Sequence, residues 1–282
     1  MATGFFTDTT LCIGCKACEV ACKQWNELPS DGFTFTGNSY DNTSELSGTT
    51  WRHVAFIEQT TASDEGIHNR WLMSSDVCKH CTNAGCLEAC PTGAIIRNEF
   101  DSVYIQPDIC NGCGYCVVSC PFGVVDLIEK FDPDHSHYNV ASLREERREE
   151  RQTALQDDGG VAGKCTLCYD RQKIGFVPAC AKACPTESIQ FGDVDELRER
   201  ARTRVEVLTK RGVENVQLYG ADDVGGGIGP LNAFFLLTDR PEAYNLPAQP
   251  VLPSTRQPAG YTAAAVAAVG LAIAGWMIFR NA

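Results

Sequence analysis

Three short apolar steps recur along an otherwise largely polar chain of 282 residues: Thr92-Gly93-Ala94-Ile95-Ile96, Phe122-Gly123-Val124-Val125 and Thr186-Glu187-Ser188-Ile189. Each directly follows a Cys-Pro pair: Cys90-Pro91, Cys120-Pro121 or Cys184-Pro185. The apolar steps predict short strands, and their recurrence predicts a repeated unit. Residues 29–75 are rich in Gly, Ser, Thr and Asn, with apolar pieces at 51–56 and 71–73, and read as loops with a few strands. Residues 129–163 are polar and include the run LREERREER at 143–151, an ion-paired surface helix or a docking surface. A charged helix is expected over 194–211.

The last apolar stretch differs in kind. Residues 263–279 (AAAVAAVGLAIAGWMIF) carry no charge, and their length is at the short end of the spanning range. Tyr261 and Trp276 lie near the ends, Arg280 follows, and a linker with Pro247, Pro250, Pro253 and Pro258 precedes. We read residues 259–282 as a single membrane anchor. Ala263, Ala264, Ala267, Gly270, Ala274 and Gly275 would admit a partner's helix closely. An Ala-rich helix docked on protein is the alternative.

Composition narrows the chemistry. A formal net charge of −12 argues against nucleic acid as a partner. The N-terminus, Met1-Ala2-Thr3-Gly4-Phe5-Phe6, lacks the features of a secretory signal. No nucleophile–base pair, H-E-x-x-H or paired-carboxylate pattern appears, so no bond-making chemistry is expected of this chain. The glycines at 225–229 lack a phosphate loop's context and read as a turn.

The sixteen cysteines fall into four groups with none left over: Cys12-Cys15-Cys18-Cys22, Cys78-Cys81-Cys86-Cys90, Cys110-Cys113-Cys116-Cys120 and Cys165-Cys168-Cys180-Cys184. Groups one and three are C-x2-C-x2-C-x3-C, the bacterial ferredoxin run, in which three thiolates hold one cube and the fourth reaches another. Groups two and four lengthen an inner loop but keep the closing C-x3-C-P. Group one ends Cys22-Lys23. Disulfides suit short secreted chains, and zinc needs only separated C-x2-C pairs. The spacing therefore favours iron–sulfur clusters. His80 lies between two of these cysteines, where it could tune a cluster by hydrogen bonding or simply pack.

These residues carry a resemblance. Cys12-Ile13-Gly14-Cys15-Lys16-Ala17-Cys18 through Gln24-Trp25-Asn26 resembles the four-cluster electron-transfer subunits of the dimethyl sulfoxide reductase superfamily of molybdopterin oxidoreductases. So do Gly112-Cys113-Gly114-Tyr115-Cys116 through Cys120-Pro121-Phe122, and Lys164-Cys165-Thr166-Leu167-Cys168-Tyr169-Asp170-Arg171 through Pro178-Ala179-Cys180. The chain is most similar to the beta subunits of membrane-bound formate dehydrogenase-N. Segment 129–163 looks longer than that family's.

The resemblance implies an α+β fold of two pseudo-symmetric double-cluster ferredoxin-like modules with irregular loops, plus the transmembrane helix. Residues 1–28 and 164–192 would form module A and 76–128 module B. Insertions at 29–75 and 129–163 and an extension with linker at 193–258 complete the chain. It also implies cross-ligation. Cys12, Cys15 and Cys18 would share a cluster with Cys184, and Cys165, Cys168 and Cys180 with Cys22. Cys78, Cys81 and Cys86 would join Cys120, and Cys110, Cys113 and Cys116 would join Cys90. All four would be [4Fe–4S] clusters.

The implied role is a non-catalytic wire. Electrons would pass from a catalytic molybdenum or tungsten subunit to a membrane cytochrome b, at the outer face of the cytoplasmic membrane. Formate is the expected donor; a hydrogenase, a polysulfide, thiosulfate or dimethyl sulfoxide reductase, or a free polyferredoxin are the alternatives.

Overall fold

The computed structural model describes residues 1–30, 35–37, 40–63, 66–128 and 160–280. A four-stranded sheet organises the fold. Strand β1 (Thr3–Asp8) runs parallel to β10 (Ala233–Leu237), with Phe5 opposite Ala233. It pairs antiparallel with β8 (Ile189–Asp193), with Phe5 opposite Phe191. Strand β9 (Gln217–Tyr219) closes the far edge, giving the order β8-β1-β10-β9. The central strands are buried on both faces. β10 reads Ala-Phe-Phe-Leu-Leu with every residue buried, the continuous apolar run expected of a strand covered on both sides. Phe6 stacks on Phe234 at 5.5 Å between ring centres.

One face of the sheet is covered by helix Val194–Lys210, which begins where the sequence places it and ends one residue earlier. Asp193 caps it by accepting from the backbone N–H groups of Asp195 and Glu196. Its apolar stripe, Leu197, Ala201 and Leu208, packs with Phe6, Phe234 and Leu236.

Residues expected to be loops with a few strands hold one long antiparallel hairpin instead. β2 (Arg52–Ser63) pairs with β3 (Gly66–Val77), from Arg52 opposite Val77 outward. Its base is buried at Val54, Leu72 and Val77 and its outer half is mainly exposed, so the apolar signal fades along each strand. Of the three strands expected after Cys-Pro, two begin at Ile95 and Ile189. The third begins past the apolar step, at β6 (Asp126–Ile128). β4 (Ile95–Arg97) pairs with β5 (Val103–Ile105), and β6 pairs with β7 (Val161–Gly163). The proposed helix at 143–151 lies outside the described residues.

The C-terminal segment overturns an expectation. Gln257–Arg280 is a helix of 24 residues. Among the described residues, however, no helix is long and apolar enough to cross a membrane. The physical reason is composition. Seven alanines and two glycines stand among the seventeen uncharged positions at 263–279. Such small side chains remove little apolar area from water, and the run is shorter than the ~20 residues a span requires. The single-pass transmembrane helix, and the localisation on the outer membrane face that depended on it, are therefore withdrawn. Val266, Leu271 and Trp276 on this helix are exposed.

Candidate metal centres

The ferredoxin-type runs fold into loops by a shared backbone device. In the first, Gly14 and Lys16 adopt left-handed conformations (φ 67° and 59°) before helix Ala17–Trp25 begins. That helix carries Cys18 and Cys22 one turn apart. A Cβ on Gly14 would sit 2.6 Å from Phe56 Cε1, so both φ and space exclude a side chain. In the third group Gly112 and Gly114 (φ 72° and 73°) do the same before helix Tyr115–Ser119. Reversing the chain twice in a few residues turns successive cysteines toward one side.

The folded chain then brings together cysteines that are far apart in sequence. Cys12, Cys15 and Cys18 line a cavity with Cys184, flanked by Val54, Ser75 and Ile189. A second cavity is lined by Cys90, Cys110, Cys113 and Cys116, flanked by Leu127 and Ala162. Two further quartets are marked by the electrostatic neighbours of their sulfurs. Cys22 is crowded by Cys165, Cys180 and Cys168, and Cys81 by Cys78, Cys120 and Cys86. In every case the closing cysteine of one group faces three cysteines of another.

Neighbouring quartets also feel one another, which sets an order. Cys18 of the first faces Cys180, whose quartet also holds Cys165. Cys165 faces Cys78, and Cys86 in that quartet faces Cys116 in the last. The four quartets thus adjoin one another in series.

Their environment suits thiolates bound to a metal cluster. Sulfurs accept hydrogen bonds from the N–H of Ala162 (to Cys110 Sγ, 3.3 Å) and of Leu167 (to Cys165 Sγ, 3.3 Å), and from Asn26 Nδ2 (to Cys22 Sγ, 3.6 Å). Hydroxyls of Ser75, Thr92 and Thr186 lie 3.3, 3.6 and 3.8 Å from the sulfurs of Cys18, Cys90 and Cys184. Two of these threonines sit in the recurring Cys-Pro-Thr, so that contact is repeated in the sequence itself.

Burial pushes the free thiols of Cys18, Cys86 and Cys168 up to about 12, and that of Cys116 up to about 11. Cys90 is the exception: hydrogen bonds from Thr92 and the backbone of Ile95 and Ala94 outweigh its slight burial and lower its pKa. Buried, proton-holding thiols must lose their protons to bind metal, so cluster loading is coupled to proton release and to folding. Among the described residues no group of three or more His, Cys, Asp or Glu side chains closes on one point as a single ion would require. The quartets surround a space instead.

His80 is fully buried; its Nδ1 accepts the Val103 N–H at 3.2 Å, and its Nε2 has no partner among the described residues. Sequence reasoning missed the burial of the cations Arg52, Lys79 and Lys164. Lys164 reaches the carbonyls of Val103 and Cys165, and Lys79 pairs with Asp76. Lys164 and Lys79 lie in cysteine-bearing segments and Arg52 in the apolar piece 51–56, but nothing in those segments marks a buried cation.

Known proteins share this pattern. A family model described as "4Fe-4S dicluster domain" matches residues 69–135 and 151–194, and a second with the same description matches 11–94. The formate dehydrogenase iron-sulfur subunit of Haemophilus influenzae is 38% identical over 247 residues, 86% of this chain and 68% of the relative. The nitrate-inducible formate dehydrogenase iron-sulfur subunit of Escherichia coli is also 38% identical, over 71% of its length. The chain belongs to this iron–sulfur subunit family. The B subunit of the anaerobic dimethyl sulfoxide reductase of Escherichia coli is a further relative, 30% identical over 70% of this chain and 76% of its own length. In keeping with the family, the chain is a non-catalytic electron-transfer subunit of an oxidoreductase complex, built on 4Fe-4S dicluster domains.

Proposed function

We propose that the sixteen cysteines hold four [4Fe–4S] clusters in the quartets described above. The quartets are Cys12-Cys15-Cys18-Cys184, Cys22-Cys165-Cys168-Cys180, Cys78-Cys81-Cys86-Cys120 and Cys90-Cys110-Cys113-Cys116. Residues 1–28 and 164–192 make one double-cluster module and residues 76–128 the other. The clusters supply one-electron storage and transfer. The protein's own residues align them, shield the middle of the line and set the local charge.

The observation that carries this reading is the serial adjacency of the quartets, from Cys18–Cys180 through Cys165–Cys78 to Cys86–Cys116. Contacts between the two halves of the first module support it. Trp25 Nε1 donates to Asp170 Oδ2 at 2.7 Å, and the Arg171 guanidinium lies 4.2 Å from the Trp25 ring centre. Both belong to the segments that resemble the family.

The partner at the donor end is a molybdopterin subunit that oxidises formate, and the acceptor is a membrane cytochrome b. The formate dehydrogenase relatives favour formate over sulfoxide, because they match more of this chain at higher identity. Anaerobic purification on a tag carried by this chain tests the reading. We expect one iron and one acid-labile sulfide for each of the sixteen cysteines, a molybdopterin subunit reducing dye with formate, and a cytochrome b. A sulfoxide-reducing partner would replace the substrate, and a preparation without iron and sulfide would overturn the wire.

A further inference from the structure

Arg52 is the least explained charge in the molecule. It is 1% exposed, at the start of strand β2, and its partner Ser75 lines the first cavity. Its Nη1 donates to Ser75 Oγ at 3.0 Å, and that hydroxyl lies 3.3 Å from Cys18 Sγ. Its guanidinium carbon lies 4.7 Å from the Phe5 ring centre. Nε and Nη2 are buried and have no partner among the described residues, and no ion pair there includes Arg52.

An arginine kept dry without an anion is costly. Burial of a charge is tolerated when it is paired and hydrogen-bonded, and is otherwise strongly unfavourable. The aromatic face and the hydroxyl and carbonyl of Ser75 leave Nε and Nη2 unmet. Burial weakens the charged form of Arg52, but its strongest electrostatic neighbours are the sulfurs of Cys180, Cys18, Cys165 and Cys22, which more than restore it. These belong to two quartets, the first and the second in the line. A thiolate-ligated cluster at either position is the missing anion.

We propose that Arg52 is a positioning residue that raises the reduction potentials of the two clusters held by the Cys12 and Cys22 quartets, offering its unpartnered N–H groups to their sulfurs. The inference rests on the four-cluster reading above. Reduction adds one electron, hence one negative charge, to an already anionic site, so a fixed cation nearby favours the reduced form. The effect is local and opposes the acidic balance of the whole chain.

The test is a redox titration of the purified complex, followed by electron paramagnetic resonance and absorbance, with wild type compared with Arg52→Gln. Iron and sulfide are measured first in both. We expect two of the four midpoints to fall, each reduction constant dropping about tenfold, which is about 59 mV for a one-electron couple. The other two should hold. Four clusters with all midpoints unmoved, or all four lowered alike, would overturn the role of Arg52 and leave the wire intact. A wild type lacking iron and sulfide would sink the wire instead. Should Arg52→Gln lose its clusters, Arg52→Lys decides. Retained clusters with near-native midpoints would support a charge at this position, and loss of clusters there too would show that the guanidinium acts by shape and would overturn the proposal.

Discussion

The two inner quartets and the two outer quartets sit in different surroundings. Cys22, Cys165, Cys168 and Cys180 are all buried; in the next quartet Cys78 and Cys86 are buried and Cys81 and Cys120 partly so. At one end of the line Cys15 is exposed and Cys12 and Cys184 are partly so; at the other Cys90, Cys110 and Cys113 are partly exposed. The ends also show apolar side chains to solvent, Ile13 beside the first quartet and Tyr115 and Val118 beside the last. A relay needs this division. Its middle must be kept from water and stray oxidants, while its ends must come within reach of a donor and an acceptor. The exposed apolar groups at the ends suit contact with other subunits.

The sharpest way to break the comparison is to remove a ligand from each region. Cys165→Ser should cut electron transfer along the chain by at least about 100-fold, the upper end of what changing even a group behind a metal ligand costs. Cys15→Ser should cost less, because serine oxygen and solvent are available at an open site. Stopped-flow reduction of the purified complex measures both, and equal losses would contradict the division.

Next comes the packing behind the first quartet. Phe5 is fully buried, meets Phe191 edge-on at 5.9 Å and carries Arg52 on its face. Phe5→Ala should destabilise the protein by about 3–5 kcal/mol, read as a lowered denaturation midpoint with earlier cluster loss.

A smaller effect is expected at the polar cluster on the helix that carries Cys18 and Cys22. Asp41 accepts from Lys16 Nζ at 3.1 Å and from the Ser44 N–H at 3.0 Å, and lies 2.9 Å from His53 Nε2. Burial would raise its pKa, but these partners, His53 foremost, hold its carboxyl well below the usual range. Its folded-state pKa is therefore lower than its unfolded one. The stabilisation is complete above about pH 4, the unfolded value, and is lost as pH falls through the depressed folded value. Asp41→Asn should cost about 2 kcal/mol at neutral pH and flatten the acid side of the stability profile.

The smallest is Trp25→Ala, which removes the indole between Asp170 and Arg171. About 1 kcal/mol is expected from the lost cation–π contact, measured by urea denaturation of the loaded protein.

How much of this was legible in the sequence depends on whether the signal is local. Cysteine spacing is local, because three sulfurs of one loop must converge, and the groups were readable at once. The left-handed glycine before Cys15 and those around Cys113 were visible as residues within the motifs. The pairing of Cys22 with Cys165, Cys168 and Cys180 depends on strand β1 lying beside β8, a long-range fact no spacing encodes; only family resemblance supplied it. The long hairpin was missed because its outer half faces solvent and keeps few apolar positions to alternate. Arg52 was missed because a lone arginine inside a short apolar piece forms no motif, and its meaning appears only when its burial and its lack of a carboxylate partner among the described residues are seen. The C-terminal anchor was over-read. An uncharged run looks like a span by length and flanks, whereas alanine and glycine supply too little apolar area.

The central claim is that each cluster is held by cysteines from two separate segments, and Cys184→Ser tests it most directly. Electron paramagnetic resonance of the reduced variant should show the cluster of Cys12, Cys15 and Cys18 altered or converted to a three-iron form. The cluster of Cys22, Cys165, Cys168 and Cys180 should keep its signal. Loss of that second signal with the first left intact would show that Cys184 serves its sequence neighbours, and would contradict the cross-ligated line.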